Sequence, residues 1–428
     1  MSVRGTPSSR PLSVGEARSY ILDSLGPLPP ETVPIVAALG CVVAEAVVAA
    51  VAIPSFANSA MDGYALHAAD TSGAPVRLKI VGIARAGKAT TSTIGRGETV
   101  RIMTGAPMPA SADAVCVVER TRLEAGGEVV VIESPVSEGA NVRLPGEDVT
   151  VGQEVLHPGT VLSAAHLGVL AGLGKDAVTV HRRPRVGVLS TGDELVESPE
   201  PLGADKIRDA NRPLFLALLR QAGFTAVDLG VVGDDEDAIA AALVEGAAGC
   251  DALLTTGGVS VGDTDLLKVA LEKLSAGAMR SMNVAVRPAK RLAYGILAAT
   301  STPVFGLSGN PAAAVVGYEL FARPALRKMA GHRQLDRPVV RGVAEVALPR
   351  RRDGKLHLVR VTATGGPDGL TRVRPSRSQN SHLLLSLAEA NAFALVPDGE
   401  GVPAGGPIDV MLLEWESVAW WWTSFRWE

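Results

Sequence analysis

LLTTGGVSVGDTDLL, Leu253 to Leu267, runs from a buried apolar stretch through two glycines into a polar loop and then into an amphipathic segment. That order is strand, glycine-rich loop, helix. Free N–H groups in such a loop and at a helix start favour an anion. The loop also holds Ser260, Thr264 and two carboxylates, Asp263 and Asp265. A bare anion would be repelled by those acids, so the ligand must reconcile both.

The same alternation extends on either side. RVGVLST (185–191), AVDLGVV (226–232), DALLTT (251–256) and TPVFGLSG (302–309) read as strands. RPLFLALLRQAG (212–223), DEDAIAAALVEGA (235–247), TDLLKVALEKL (264–274) and AAAVVGYELFARPALRKM (312–329) read as helices. Strand and helix in turn predict a parallel sheet with helices on both faces. From about Asp336 the pattern returns to strands, VVRGVAEVAL, KLHLVRVTAT and NAFALVPDG, which form a separate small β domain.

A chain of 428 residues exceeds one ordinary core, so roughly three or four domains are expected. The net charge of −4 is spread without like-charge runs, which gives no electrostatic footprint for nucleic acid. Three widely spaced cysteines, Cys41, Cys116 and Cys250, show neither disulfide nor zinc spacing and suit a reducing, cytoplasmic compartment. The first residues lack the apolar stretch of a secretory signal. Ile35–Ile53 is Ala/Val-rich and near membrane-span length, but Glu45 and bracketing prolines argue against a span; it reads as a buried helix-to-strand connection. Between Pro54 and about Leu144, short β runs separated by Gly and Pro indicate an inserted β-rich unit, followed by the helical GTVLSAAHLGVLAGLGK.

Ligands of open parallel sheets sit beyond the carboxyl ends of the strands. Three strand ends therefore belong together: Thr191, Gly192, Asp193 and Glu194 in STGDEL; Thr255 to Gly258, with Ser260, Asp263 and Asp265; and Ser308, Gly309, Asn310 and Pro311 in GLSGNP. Carboxylates and phosphate-binding amides coexist when Mg²⁺ lies between carboxylate and phosphate, so the expected ligand is a metal-bearing phosphate or nucleotide. Each loop also has a plain reading: TGDEL as a strand-to-helix turn, SGNP as a helix start. In the β-rich unit, Asp62-Gly63 doubles as a type I′ hairpin signal, and Arg143, Glu147 and Asp148 as a solvated charge group.

SAMDGYA, IMTGAPMP followed by ADAV, NVRLPGED, STGDEL, IRDANRP, TTGGVSVGDTD and GLSGNP, in this order, resemble the molybdopterin molybdenumtransferase family, MoeA, whose animal counterpart is the gephyrin E domain. The resemblance runs from about Leu12 to Val410. It implies insertion of molybdate into adenylylated molybdopterin, with release of AMP, by a homodimer; neither nucleic acid nor membrane is expected as a partner, on the charge and span readings above. It implies a three-layer α/β domain binding the pterin (182–332), a discontinuous helical domain (1–53 and 148–181), an inserted β-rich lid (54–147) and a C-terminal β domain (333–428). The implied catalytic positions are Asp62, Thr104, Asp148, Glu194 and Asp265, with Glu194 and Asp265 on Mg²⁺. Implied substrate contacts are Arg143, Thr191, Gly192, Asp234, Gly257, Gly258, Ser260, Asp263, Arg287, Lys290, Ser308, Asn310 and Pro311. Related readings are a molybdopterin adenylyltransferase-like enzyme, which the lid and C-terminal β domain disfavour, and a binding paralogue or scaffold with little turnover.

The chain departs from the family pattern in RPAKR, where Ala289 and Arg291 replace Gly and Pro, in SGNP, where Ser308 replaces Pro, and in the absence of a large aromatic from SMNVAVRPAKR. Ala at a glycine position is expected to block a positive φ, so the substitutions predict retained binding and slower turnover. All five tryptophans lie in the last 14 residues, WESVAWWWTSFRWE. They read as an extension added to a finished fold, docked or loose.

Overall fold

The computed structural model describes residues 10–88, 93–257, 266–366 and 368–413. The chain divides into two compact units. One is drawn from residues up to Glu31, Gly40–Val42 and His181 onward, the other from Thr32–Leu39 and Val43–Val180.

Helix α1 (Val14–Asp23) begins at a capping box: Ser13 Oγ accepts the Glu16 amide and the Glu16 carboxylate accepts the Ser13 amide. Its Ala17 and Ile21 are fully buried in the first unit.

The second unit is built on a six-stranded sheet of β1 (Gly63–Leu66), β2 (Val76–Ala84), β3 (Glu98–Ile102), β4 (Ala114–Val117), β5 (Thr121–Glu124) and β6 (Val129–Ile132), in the order β4-β1-β3-β2-β6-β5. Successive side chains of a strand face opposite sides. Accordingly Tyr64 and Leu66 enter one core cluster and Ala65 the other. Asp62-Gly63 is thus the entry to a strand, not a hairpin turn. Helix α2 (Ala164–Gly172) follows, capped by Ser163.

The expectation for Ile35–Ile53 fails. This stretch holds only a 3₁₀ turn at Ile35–Ala37 and a two-residue strand at Val47–Val48, and Val36 is 86% exposed. Its valines favour extended backbone and Gly40, at φ 77°, ends any helix. Among the described residues no helix is long and apolar enough to cross a membrane. All three cysteines are free and buried.

The first unit carries β7 (Arg185–Thr191), α3 (Asn211–Gln221), β8 (Thr225–Val232), α4 (Glu236–Gly249), β9 (Ala252–Thr256), α5 (Leu266–Leu274), β10 (Arg280–Asn283), β11 (Val286–Arg287), β12 (Arg291–Ile296), β13 (Pro303–Leu307), α6 (Pro311–Gly317) and α7 (Arg323–Met329). The sheet order is β8-β7-β9-β13-β12-β10, parallel from β8 to β13. Val188, Leu254 and Phe305 pack beneath Phe215 and Leu326, while Leu189, Leu253 and Val304 pack beneath Leu243 and Leu271. Helices therefore cover both faces. β10 and β12 are antiparallel additions, because Arg280–Ile296 has no crossover helix to return the chain.

A π-helical turn, Tyr318–Ala322, joins α6 to α7. Pro324 has no N–H for the carbonyl four residues earlier, Leu320 O, and Arg18 of α1 donates there at 2.7 Å.

The chain then forms β14 (Val339–Ala344), β15 (Leu356–Gly365), β16 (Thr371–Pro375), β17 (Ala392–Val396) and β18 (Pro407–Leu412). The order β15-β16-β14-β18-β17 closes through β15–β17 pairing into a small barrel. β11 adds to β15 in parallel, with Val286 opposite Leu356 and Arg287 opposite His357.

Candidate active site

β7, β9 and β13 end side by side, and beyond them lies a cavity of about 1740 Å³. The first strand end supplies Thr191, Gly192 and Glu194, the second Thr256 and Gly257, the third Ser308 to Pro311. Asp234 joins them from the end of β8, and Arg287 to Arg291 form another wall. The three strand ends read together from sequence therefore meet, the second through Thr256 and Gly257.

Gly257 is required by backbone contact, and Gly192 by its positive φ. Gly257 has φ 103°, and a Cβ there would lie 2.4 Å from Thr191 O. Gly192 has φ 148°, and a Cβ would meet the Glu194 carboxylate at 2.4 Å. Glu194 thus folds back over bare backbone. Asp193 and Asp234 lock the β7 and β8 exits together: Asp193 Oδ1 accepts the Asp234 amide at 3.0 Å and Asp234 Oδ2 accepts the Asp193 amide at 3.4 Å.

Ala289 is 6% exposed and adopts φ 73°. The expectation that alanine would block this conformation is overturned. An L-residue reaches the left-handed region at a cost of roughly 1–2 kcal/mol, and Ala289 does so while buried. Lys290 follows it in the cavity lining, and its carbonyl accepts the Val284 amide at 2.7 Å. Ser308 Oγ accepts the Asn310 amide at 3.3 Å, bracing the turn where the family pattern has proline.

The barrel contributes Lys355 and the loop Gln379 to His382. Arg360, fully buried on β15, donates to Ser378 O at 2.8 Å, Asn380 O at 3.0 Å and Ser386 Oγ at 3.0 Å. Ser381 O accepts the Ala312 amide in the first turn of α6 at 3.0 Å. These barrel residues were absent from the sequence reading, as were Asp209 and Asn211 of IRDANRP, which also line the cavity. IRDANRP was visible as a motif; no local signal marks the barrel loop.

The second unit gathers the other candidates. Asp62 Oδ1 accepts both the Thr104 amide, at 2.7 Å, and the Thr104 hydroxyl, at 2.9 Å. The amide bond first, then the hydroxyl bond, hold the Asp62 carboxyl below its ordinary pKa. Val142 and Arg143 pair with Ser59 and Asn58, and the Asp148 amide donates to Ile53 O at 2.9 Å. PSFANSAMDG, IMTGAPMP and NVRLPGED thus converge, with Asp62, Arg143 and Asp148 exposed. Gly258, Ser260, Asp263 and Asp265 lie outside the described residues, as does the tryptophan-rich tail.

Residues 12–174 match the MoeA N-terminal region (domains I and II), 187–328 a probable molybdopterin binding domain and 344–413 the MoeA C-terminal region (domain IV). The chain belongs to the MoeA family. Among relatives named molybdopterin molybdenumtransferase, the one from Staphylococcus aureus (strain MRSA252) is 33% identical over 94% of this chain and 96% of its own. That from Haemophilus influenzae is 34% identical over 93% of this chain and 98% of its own. The crystal structure of a molybdopterin biosynthesis MoeA protein from Pyrococcus horikoshii OT3 matches with a TM-score of 0.78 at 28% identity, covering 94% of this chain and all of that one. This MoeA-family chain is mixed α/β, with a barrel-like C-terminal part.

Proposed function

We propose that the protein is a molybdopterin molybdenumtransferase that inserts molybdate into adenylylated molybdopterin and releases AMP. The observation that carries this is the convergence of three strand ends, a carboxylate and a cationic wall on one cavity, in a chain related over nearly its whole length to proteins of that name.

In this reading Thr191, Ser308 and Asn310 offer side-chain donors to the pterin and its phosphate, Gly192 and Gly257 let the ligand approach bare backbone, and Pro311 lines the same wall. Arg287 and Lys290 offset pyrophosphate and oxyanion charge. Glu194, with Asp234 beside the same cavity, is the carboxylate side. Among the described residues no group of three or more His, Cys, Asp or Glu forms a metal cage. The lining carboxylates Glu194 and Asp234 fit Mg²⁺, which is held by one or two carboxylates while phosphates and water complete its shell. Bound there, Mg²⁺ would supply charge stabilisation at the anhydride. Asp265 is proposed as the second carboxylate, and Ser260, Asp263 and Gly258 as loop contacts, on the family pattern. Asp62, Thr104, Arg143 and Asp148 complete the assignment; the Thr104 bonds keep Asp62 ionised and oriented. Cleavage of the anhydride relies on positioning and charge rather than on a covalent intermediate.

The cytoplasmic homodimer and the four-domain division at 1–53 with 148–181, 54–147, 182–332 and 333–428 belong to the same proposal. Light scattering should give twice the chain mass of 44.2 kDa. The deciding assay is AMP release from adenylylated molybdopterin on adding molybdate. Glu194→Gln should slow it by about 10² to 10³, the usual effect of losing one transition-state contact, without lowering thermal stability. Full activity in Glu194→Gln would remove Glu194 from the mechanism, and no AMP release by the unaltered protein would reject the function.

A further inference from the structure

IRDANRP holds three polar side chains that the functional reading leaves without a role. Asp209 has a side chain 2% exposed, and Asn211 and Arg212 are each 8% exposed. Asp209 Oδ1 accepts the Ser190 hydroxyl at 3.1 Å and the Arg212 amide at 3.1 Å, while Oδ2 accepts Arg212 Nε at 3.0 Å. Serine has one hydroxyl proton, and here it goes to a carboxylate that can only accept. The 3.0 Å contact between the Ser190 and Thr256 hydroxyls is therefore donated by Thr256. Asn211 Nδ2 donates to Gly309 O at 2.8 Å, and Arg212 Nη1 reaches Asp228 on β8. One four-residue segment thus reaches all four parallel strands: β7 directly at Ser190 and, through that hydroxyl, β9 at Thr256; β8 in mid-strand at Asp228; and the turn after β13 at Gly309.

We propose that Asp209–Arg212 is the positioning clasp of this site, with Asp209 fixing the exit of β9 through Ser190 and Thr256, and Asn211 fixing the Ser308–Pro311 turn through Gly309. The strands themselves are already held by their ladders; Arg212 anchors the clasp to β8 at Asp228, and the Asp209 and Asn211 bonds fall where β7, β9 and β13 leave the sheet for the cavity. Asn211 Oδ1 is buried and has no partner among the described residues. An unpaired buried acceptor is costly, so the amide is a poor choice for stability alone and is explained by the single bond that it donates to Gly309.

Two measurements on the full chain test this. Amide hydrogen exchange needs no substrate: Ser190→Ala should speed exchange at Gly257, and Asn211→Ala at Gly309, Asn310 and Ala312, with the rest of the sheet unchanged. The kinetic arm rests on the proposed function and follows AMP release. A displacement of about 1 Å costs roughly 10² in rate, so each variant should lose about 10²-fold in kcat with KM nearly unchanged. Ser190→Ala and Thr256→Val remove one shared link, so the double variant should be no slower than either single one. Unaltered local exchange, unaltered kcat or additive losses would each overturn the clasp. If the unaltered protein releases no AMP, the functional reading falls, and the exchange arm still decides the clasp.

Discussion

Ala289 shows how much a single position can conceal. From sequence its methyl group argues for a reshaped loop; in the fold the loop keeps its left-handed turn at φ 73° and the alanine is held there, buried. The departure therefore costs conformational energy rather than shape. Relief of the left-handed penalty is about 1–2 kcal/mol, and glycine returns about 0.4–1 kcal/mol of that through its freer unfolded chain. Ala289→Gly should accordingly raise stability by about 0.5–1 kcal/mol, read as a higher urea midpoint at unchanged slope. A lower midpoint would mean that the methyl packing outweighs the strain. Thr191, Gly257, Ser308 and Asn310 were readable because glycine and hydroxyl residues after an apolar run are local signals. Asp209 and Gln379 were not, since what they do depends on partners brought in by the fold.

At the scale of elements, the alternation from Arg185 to Met329 was readable because period and length both distinguish its strands from its helices. Ile35–Ile53 was misread because Ala and Val give hydrophobicity without period, and exposure is then decided by tertiary context. The barrel loop Ser376–Leu383 had no signal at all. It is shaped by Arg360, a buried guanidinium whose acceptors among the described residues are two carbonyls and a hydroxyl, with no carboxylate. Burial lowers the pKa of that guanidinium, so only these acceptors offset its desolvation. Gln379 adds a reciprocal pair, its Oε1 accepting the Arg360 amide at 2.8 Å and its Nε2 donating to Arg360 O at 3.0 Å. Arg360→Leu would remove the three bonds that tie this loop to β15, while Ser378 O keeps the Ser386 hydroxyl and Asn380 O the Leu383 amide, so it should cost about 1–3 kcal/mol. Urea unfolding would register the loss, and faster amide exchange should appear first in residues 376–383. A loss under about 0.5 kcal/mol, the range of ordinary surface changes, would show that the loop holds its form without the charge.

Across the whole first unit, one continuous core runs from the α/β sheet into the barrel, with Phe305 and Leu326 in the same cluster as Leu358, Phe393 and Met411. The cavity between sheet and barrel is therefore lined from two sides that share a core. The connection at Ala330–Pro338 is secured by a cationic cluster. Arg337 donates twice to the buried Glu319, at 2.9 Å each, and Arg327 Nε donates to Gln334 O at 2.8 Å. His332 Nδ1 lies 3.2 Å from Arg327 Nη2, which makes the ring an acceptor and keeps it neutral. Burial first, then Arg327 and Arg323, push its pKa down to about 4. The unfolded chain titrates near the ordinary value of about 6.5, so it binds the extra proton as pH falls from about 6.5 toward 4. Stability due to the neutral ring is thus complete above about 6.5 and is lost on acidification through that window. His332 is only partly buried, so after discounting for solvent screening the loss should be about 1–2 kcal/mol. Urea midpoints at pH 7.5 and 4.5 should fall further for the unaltered chain than for His332→Gln, which keeps an acceptor for Arg327 but cannot titrate. Equal falls in the two proteins would assign the acid sensitivity to other groups and leave the connection indifferent to this histidine.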